Sequence, residues 1–322
     1  MSEQRVGDVD EGTLLRRIFA VLEGSSAAIV GPGDDAAVLR TPGERVVATT
    51  DTLVHGPDFR LAWSSGTDLG FKAAAVNLAD VAAMGARPTA LLVALAVPES
   101  MPVSFVEDLA GGLRAACDEL APGCAIEGGD LTVSDTLTVA VTALGVLEGE
   151  PVRRSGARPG DVVAVAGALG AASRGLQILF GRFRDATGTP VPVDLDTLSA
   201  GERADLAAQL RPAPPISLGP IAAAAGATAM MDVSDGLVLD ATRMADASGV
   251  TLELSSRLDA DALTGGEDHA LLATFAAADV PAGFRVIGAV RPRASASVTV
   301  GGVVPTGRGG WDPYRDWDAA RG

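Results

Sequence analysis

Apolar positions in the first half of the chain follow helix and strand spacings in turn. Helical spacing over residues 11–23 ends at Gly24, and a long apolar helix is predicted from Thr67 or Asp68, as its N-cap, to Gly85. Around these helices we predict strands at 27–30, 36–39, 45–50, 90–97 and 136–146 and a further helix at 102–120. Neighbouring strands mixed with helices favour an α+β layer.

The second half repeats this mixture after a change in composition. Between Leu147 and Gly160 the chain becomes rich in Glu, Pro, Arg and Gly, which indicates a domain junction. Beyond it we predict strands at 161–166, 227–231 and 270–275 and helices at 176–180, 198–210 and 237–247. A chain of 322 residues can form two cores, so we expect an α/β (α+β) protein with domains at 1–148 and 149–322.

Composition excludes several classes of protein. The 41 acidic and 25 basic residues give a formal net charge of −16, so nucleic acid and anionic membranes are not expected partners, and an anionic ligand needs cations as mediators. Lys72 is the only lysine and is followed by Ala73, which excludes a P-loop and a protein-kinase-like site. Two histidines and two cysteines are too few for a zinc finger or a histidine-based triad.

The N-terminal segment and the longest apolar runs bear on location. Residues 1–11 are polar and acidic, and runs such as 90–97 and 221–231 are too short to span a bilayer. We therefore expect a cytoplasmic protein in which Cys117 and Cys124 are reduced.

Acidic residues recur at glycine-flanked ends of the predicted apolar strands, in both halves of the chain. Any single acidic turn is explained as a turn former or helix cap. Their recurrence favours a common site, and the residues concerned are Asp34, Asp35, Asp51, Asp130, Asp232 and Asp235.

The long predicted helix carries two polar residues in an otherwise apolar stripe. Asn77 and Asp80 lie three residues apart and so share a face, which is either a solvated face or part of a site. A buried carboxylate needs a partner, and in a chain with one lysine a divalent cation is a good candidate. Hard oxygen ligands without histidine or thiolate point to Mg²⁺ shared with substrate phosphates.

Two further segments have alternative interpretations. The glycine-containing loop over 167–175 either binds a phosphate on its backbone N–H groups or makes a tight turn from strand to helix. The basic cluster of Arg153, Arg154 and Arg158 is either a solvated linker or a contact to a nucleotide phosphate.

Seven motifs follow one another along most of the chain. Five of them are Gly-Pro-Gly-Asp-Asp-Ala-Ala at 31–37, Thr-Thr-Asp-Thr-Leu-Val at 49–54, the segment 72–85, Gly-Gly-Asp at 128–130 and Arg-Ser-Gly-Ala-Arg-Pro-Gly-Asp at 154–161. The most specific pair is Asp-Val-Ser-Asp-Gly-Leu at 232–237 joined to Gly-Gly-Glu-Asp at 265–268. Taken in this order, the seven motifs resemble the thiamine-monophosphate kinase family, within the aminoimidazole-ribonucleotide-synthetase-like superfamily.

This resemblance implies a fold and an activity. Two α/β domains would enclose the active-site cleft, with the N-terminal domain forming a shared barrel across a homodimer. ATP and thiamine phosphate would react to ADP and thiamine diphosphate. By motif, Mg²⁺ ions would be held by Asp35, Thr49, Thr50, Asp51, Asp80, Asp130, Asp232 and Asp235; ATP would contact Gly129, Asp130, Arg154 and Ser234; and thiamine phosphate would contact Glu267, Trp311 and the position of Asp58, where the family commonly has histidine.

Two alternatives to the kinase stay open from the sequence. One is another ATP-dependent synthetase of the superfamily, although a selenophosphate synthetase is expected to have a reactive cysteine near its N-terminus and the first here is Cys117. The other is a catalytically inactive nucleotide-binding module, which the loss of metal carboxylates would favour. All of those carboxylates are present in this chain.

Overall fold

The structure is a computed structural model that describes residues 4–8, 11–24, 45–307 and 309–311. Over these residues the chain forms two β-sheets with helices packed on them, which confirms a mixed α and β fold. The predicted strands at 27–30 and 36–39, and the Asp34-Asp35 turn between them, lie outside the described residues.

The first sheet has four strands in the order β1-β4-β2-β3. Its elements are α1 (Glu11–Leu22), β1 (Val46–Val54), α2 (Gly66–Ala83), β2 (Arg87–Val97), α3 (Val103–Leu120), β3 (Ala125–Val133) and β4 (Thr138–Val146). Strand β4 is antiparallel to β1 and β2, whereas β2 and β3 run parallel because α3 connects them. Side chains alternate along β4, so that Val139, Val141 and Ala143 are fully buried on the helix side and the opposite face is more exposed.

Helix α2 is buried almost all round, and glycines let its neighbour approach closely. A Cβ on Gly70 would collide with the Leu109 carbonyl of α3, and one on Gly112 would collide with the Thr67 carbonyl of α2. The helix begins at a capping box in which the Ser65 hydroxyl accepts from the Asp68 N–H and the Asp68 carboxylate accepts from the Ser65 N–H. The prediction of Thr67 or Asp68 as the N-cap was therefore wrong.

The second sheet has six strands in the order β10-β7-β9-β5-β8-β6, antiparallel except for the β10-β7 pair. Its elements are β5 (Val162–Ala166), α4 (Ala171–Arg182), α5 (Ala200–Leu210), α6 (Leu218–Ala224), β6 (Ala229–Val233), α7 (Leu237–Ser248), β7 (Val250–Leu254), α8 (Ala260–Thr264), β8 (Ala270–Phe275), β9 (Arg285–Pro292) and β10 (Val298–Val300). Both faces of β5 are buried: Val163 and Val165 pack with α7, and Ala164 and Ala166 lie on the opposite face.

Helix α2 also contacts the second sheet, at β6 and β8, so it lies between the two sheets. Helix α6 packs closely against the C-terminal end of α2, because a Cβ on Gly219 of α6 would collide with the Ala82 carbonyl. The Val152 N–H donates to the Met84 carbonyl at 3.1 Å. The domain boundary at residues 148 and 149 stays a prediction.

Several acidic residues do not lie at strand ends as the sequence pattern predicted. Strand β1 runs to Val54, so Asp51 lies in its interior, and Asp130 lies inside β3, a strand that was not predicted. Asp232 belongs to β6, and Asp235 follows that strand. In the part of the chain that the structure describes, no helix is long and apolar enough to cross a membrane.

Candidate active site

The first sheet and α2 place three of the predicted metal-binding residues near one another. Thr49 and Asp51 are two residues apart on β1 and so point to the same face of the sheet, the face that α2 covers. The Thr49 hydroxyl donates a 2.9 Å hydrogen bond to Oδ2 of Asp80, in the last turns of α2. Asp80 thus has a partner, as its burial requires.

The second sheet supplies Asp232 and a histidine that was not among the predicted site residues. His269, immediately before β8, is buried, and its Nδ1 lies 3.2 Å from Oδ2 of Asp232 on β6. Burial lowers the pKa of His269, but the hydrogen bond to Asp232 and the charges of Asp232 and Glu267 outweigh it, and the pKa is raised. The neighbouring carboxylates therefore favour the protonated form of the His269 imidazole.

Three carboxylates, one from each sheet and one from α2, interact electrostatically. Burial, reinforced by the charges of Asp232 and Asp51, raises the pKa of Asp80 to about 6. Burial is also the main reason why the pKa of Asp51 is raised; Asp232 and Asp58 raise it further and His269 lowers it. Carboxylates that repel one another in a partly buried place are stabilised by a cation.

The donor atoms around Asp80 fit Mg²⁺. They are carboxylate and hydroxyl oxygens, and Oδ1 of the buried Asn77, one turn earlier on α2, has no hydrogen-bond partner among the described residues. Within those residues no three Asp, Glu, His or Cys side chains are grouped tightly enough to hold one ion. Asp35, the remaining predicted acidic ligand, lies outside them.

Thr50 and Asp130 do not join this group within one chain. Both lie on the other face of the first sheet: Thr50 is adjacent to Asp51 on β1, and Asp130 pairs with the exposed Ala94 of β2. They also occupy opposite edge strands, three inter-strand spacings apart, which is roughly 14 Å. The Thr50 hydroxyl donates to the Val141 carbonyl at 3.0 Å instead.

Two of the predicted ATP contacts lie elsewhere in the chain's elements: Gly129 belongs to β3, and Arg154 lies between β4 and β5. Gly129 is needed for backbone packing, because a Cβ there would collide with the Val93 carbonyl of β2. Arg154 is exposed, and its carbonyl accepts from the Ser248 hydroxyl at 3.2 Å.

Asp235, a predicted metal ligand, forms an ion pair with Arg243. Its Oδ2 accepts from Arg243 at 2.6 Å, and Arg243 also donates to the fully buried Asp240 at 2.6 Å. Asp240 in turn accepts from the Asp235 N–H at 3.1 Å. Burial, together with the charges of Asp232 and Asp235, raises the pKa of Asp240 to about 6. The i, i+3 spacing of Asp240 and Arg243 on a helix is the sequence signal that could have revealed the ion pair between these two residues.

A cavity of about 810 Å³ contains all three predicted substrate contacts. Asp58, Glu267 and Trp311 line it, together with Ser234. The cavity adjoins the carboxylate group, because Ser234, which lines it, follows Asp232 of β6 by two residues. Asp58 is fixed by its own turn, since its Oδ2 accepts from the Val54 N–H at 2.7 Å.

One wall of the cavity consists of aromatic rings and arginines that were not among the predicted site residues. The rings of Trp63 and Phe180 meet edge to face at 5.0 Å between centroids. The guanidinium groups of Arg60 and Arg184 lie 5.9 and 5.4 Å from the centre of the Phe180 ring. This wall, made by Arg60, Trp63, Phe180 and Arg184, suits a planar heteroaromatic ligand.

The turn that carries Glu267 is strained and held at several points. Glu267 and His269 have φ of 73° and 52°, a left-handed conformation that costs about 1–3 kcal/mol for such residues. Lys72 of α2 forms an ion pair with Oε2 of Glu267, and the Asp268 carboxylate accepts from the Ala172 N–H at 3.0 Å. Strain maintained by such contacts is a common feature of binding sites.

These contacts also favour one interpretation of the glycine-containing loop at 167–175. Gly170 is the N-cap of α4 with φ of 81°, and a Cβ on it would lie 2.6 Å from the Asp261 carbonyl carbon. Because the Asp268 carboxylate already occupies the Ala172 N–H at the start of α4, the structure favours a tight turn over a phosphate-binding loop.

Comparison with known proteins agrees with the resemblance. Residues 33–147 match the family model of AIR synthase related protein, N-terminal domain. The thiamine-monophosphate kinase of Mycobacterium tuberculosis (strain CDC 1551 / Oshkosh) is 40% identical over 314 residues, covering 91% of this chain and 88% of that protein. The thiamine-monophosphate kinase of Corynebacterium glutamicum is also 40% identical and covers 96% of this chain and 95% of that protein.

A solved structure shares the fold over almost the whole chain. AaThiL complexed with AMPPCP and TMP superposes with a TM-score of 0.73 at 31% identity, covering 96% of this chain and 99% of that one. At this level of identity and coverage, and with the predicted substrate contacts in one cavity, the assignment is clear: the chain belongs to the thiamine-monophosphate kinase family.

Proposed function

We propose that this chain transfers the γ-phosphoryl group of ATP to the phosphate of thiamine monophosphate, giving ADP and thiamine diphosphate. The observation that carries the proposal is the shared cavity of Asp58, Glu267 and Trp311, next to the carboxylates of Asp51, Asp80 and Asp232. Membership of the thiamine-monophosphate kinase family favours this reaction over that of another synthetase and over an inactive module.

Mg²⁺ is the cofactor that this donor set suits. Asp51, Asp80 and Asp232, with the Thr49 hydroxyl, would bind Mg²⁺ ions together with substrate phosphate oxygens, since no three described acidic side chains are close enough to hold one ion alone. Asp35 and Asp235 would complete the acidic ligands. Bound Mg²⁺ supplies positive charge that offsets the repulsion between ATP and the acceptor phosphate, which is about 4 kcal/mol per like-charge pair at 4 Å and an effective dielectric of 20.

The protein's own residues bind and orient the two substrates. The acceptor phosphate is largely ionised at neutral pH, so the attacking oxygen needs no strong general base. Asp58, Glu267 and Trp311 hold the rest of thiamine monophosphate in the cavity. Direct in-line transfer between two positioned phosphates follows, without a phosphorylated side chain.

The positions of Thr50 and Asp130 support a homodimer in which the first sheets form a shared barrel. Among the described residues, β1 and β3 are the outer strands of that sheet, so closing two copies into a barrel through these strands would bring β1 of one protomer beside β3 of the other. Thr50 of one protomer would then lie beside Asp130 of its partner, and Gly129, Asp130, Arg154 and Ser234 would contact ATP. The cytoplasmic location stays a prediction.

A panel of acceptors tests the proposal. Purified protein is incubated with MgATP and, separately, with thiamine monophosphate, free thiamine and an unrelated phosphate monoester, and ADP and thiamine products are separated by chromatography. We expect ADP and thiamine diphosphate to form in equal amounts when thiamine monophosphate is the acceptor, and not with the other two acceptors. Equal turnover of free thiamine, or no diphosphate product, contradicts the proposal.

A further inference from the structure

The single lysine of the chain is buried where α2 meets the cavity. Lys72 is 5% exposed, and its Nζ forms the ion pair with Oε2 of Glu267 and donates to the Gln209 carbonyl at 3.4 Å. In the orientation of the Gln209 amide that pairs both its oxygen and its nitrogen, the oxygen also accepts a hydrogen bond from Nζ of Lys72 at 3.2 Å. In that orientation the nitrogen donates to the Ala172 carbonyl at 3.0 Å. The ammonium group is thus surrounded by oxygen acceptors from separate elements.

Glu267 faces the cavity in a conformation that its own backbone does not favour. Its side chain is 43% exposed, its φ is 73°, and its N–H donates to the Ser234 carbonyl at 2.8 Å. The backbone bond fixes where the turn lies, whereas the ion pair with Lys72 fixes where the carboxylate lies. A long side chain on a strained turn needs such a fixed partner to keep one orientation.

Lys72 also balances the charges of two carboxylates that line the same cavity. The pKa of Asp58 is raised, chiefly by burial and also by the charge of Glu267, while Lys72 opposes this. Burial alone would raise the pKa of Glu267, but the charges of Lys72 and His269 and the hydrogen bond from Lys72 lower it. Without Lys72, less positive charge would offset the negative charges of Asp58 and Glu267 in the cavity.

We infer that Lys72 is a positioning residue for the acceptor: it fixes the Glu267 carboxylate in the cavity wall, where that carboxylate receives the positively charged and amino-bearing rings of thiamine monophosphate. The inference rests on the proposed function, because the contact of Glu267 with the acceptor belongs to it. Lys72 itself acts on the ligand through Glu267. Since α2 also carries Asp80, one helix then positions both the acceptor contact and a metal ligand.

A purely structural ion pair makes a different prediction. If Lys72 only joined α2 to the turn, its loss would lower the free energy of unfolding and leave the affinity of the folded protein for thiamine monophosphate unchanged. If Lys72 contacted the ligand directly, its loss would weaken binding whether or not Glu267 is intact.

A double-mutant cycle separates these cases. The dissociation constant of thiamine monophosphate is measured by calorimetry without ATP for the native chain, Lys72→Met, Glu267→Gln and the double variant, with KM for both substrates and kcat measured in parallel. Lys72→Met is expected to weaken acceptor binding by about 10- to 100-fold, the loss of an oriented charge-assisted contact. In the Glu267→Gln background the same change is expected to alter binding by less than about two-fold, because residues acting as one unit are non-additive.

Two further variants control for folding. Lys72→Arg keeps the charge and is expected to bind the acceptor more tightly than Lys72→Met does. Arg174→Met breaks the ion pair with Asp205 between α4 and α5, outside the cavity lining, and is expected to keep native affinity. The double variant removes both charges of the Lys72 pair, so it is measured even where Lys72→Met does not fold.

The outcomes are distinct. Native affinity in Lys72→Met, or equal weakening in both backgrounds, overturns the inference. If the cycle behaves as expected but the native chain forms no thiamine diphosphate with MgATP, the proposed reaction fails while the role of Lys72 in binding stands.

Discussion

The Thr49 hydroxyl donates to the Asp80 carboxylate at 2.9 Å, which joins the first strand of one sheet to the helix that lies between both sheets. Because Asp232 and His269 approach Asp80 from the second sheet, its environment depends on both sheets. Asp80→Asn removes charge and keeps the shape. We expect kcat to fall at least about 100-fold and the Mg²⁺ requirement to rise, since charge stabilisation is the main catalytic effect in phosphoryl transfer.

Circular dichroism and a Mg²⁺ titration of activity check this expectation. The native spectrum and unchanged cooperative unfolding show that the loss is catalytic. Native kcat at native Mg²⁺ concentrations would remove Asp80 from the site.

Part of this site could be predicted from the sequence. Helical periodicity and the cost of burying a carboxylate together indicated that Asp80 needs a partner, and the motifs grouped Thr49 and Asp51 with it. The start of the long apolar helix was predicted to within three residues, because its apolar spacing begins directly after a run of polar residues and glycine at 64–68.

Other features depend on contacts between distant residues and left no local signal. Strand β3 was missed because Gly128-Gly129-Asp130 is typical of a turn. In the structure Gly129 lies inside the strand, where only a residue without a side chain fits against the Val93 backbone. Lys72 and Glu267 are far apart in the sequence and carry no spacing that pairs them. Strands β7, β9 and β10 were also missed, although the alternation of Val250, Leu252 and Leu254 along β7 is a local strand signal that could have revealed it.

Adjacent glycines on α3 are expected to respond to alanine in opposite directions. Gly112→Ala should destabilise the protein by about 3 kcal/mol or more, because the added Cβ collides with the backbone of α2. Gly111→Ala, whose Cβ meets only Val21 at 3.8 Å, should stabilise it by about 0.5–1 kcal/mol through helix propensity. Urea unfolding of both variants measures this. Equal effects would contradict the close contact of α2 with α3.

The stability of the metal-free protein should fall as pH rises from about 4 to about 7 because of Asp240. Its pKa is raised from the ordinary value to about 6 in the folded protein, so the folded state binds more protons than the unfolded state between these two values. Raising the pH through this window therefore costs stability, on the order of 1–3 kcal/mol. Asp240→Asn should show a smaller fall in urea unfolding at several pH values. An identical pH dependence in the variant would show that Asp240 does not carry the effect.

The two cysteines are expected to be dispensable for activity. Cys117 and Cys124 are buried in the core around the first sheet. Neither cysteine lies on α2, the helix that carries the buried Asn77 near the proposed metal site. The double change to serine should keep kcat and cost about 1–3 kcal/mol of stability, because two hydroxyls replace buried thiols. Steady-state kinetics and thermal unfolding test this. A folded variant without activity would mean that a thiol takes part in the reaction.

Mixed dimers test the shared barrel. If Asp130 completes the site of the partner protomer, coexpressed Asp80→Asn and Asp130→Asn chains form mixed dimers with one intact site. Activity should then recover to about one quarter of the native value, from statistical pairing of two chains in a two-fold dimer. Activity that stays at the low level of both single variants would place Asp130 in the same protomer's site, and full activity of Asp130→Asn alone would place it outside the reaction.

Rapid quenching of a single turnover with γ-³²P-labelled ATP and thiamine monophosphate tests the central claim, direct transfer between the two substrates, most directly. We predict that the label passes from ATP to the terminal phosphate of thiamine diphosphate at the rate of ADP formation, with none on the protein at any time. Label on the protein before the product forms, or ADP formed without labelled thiamine diphosphate, would contradict the account.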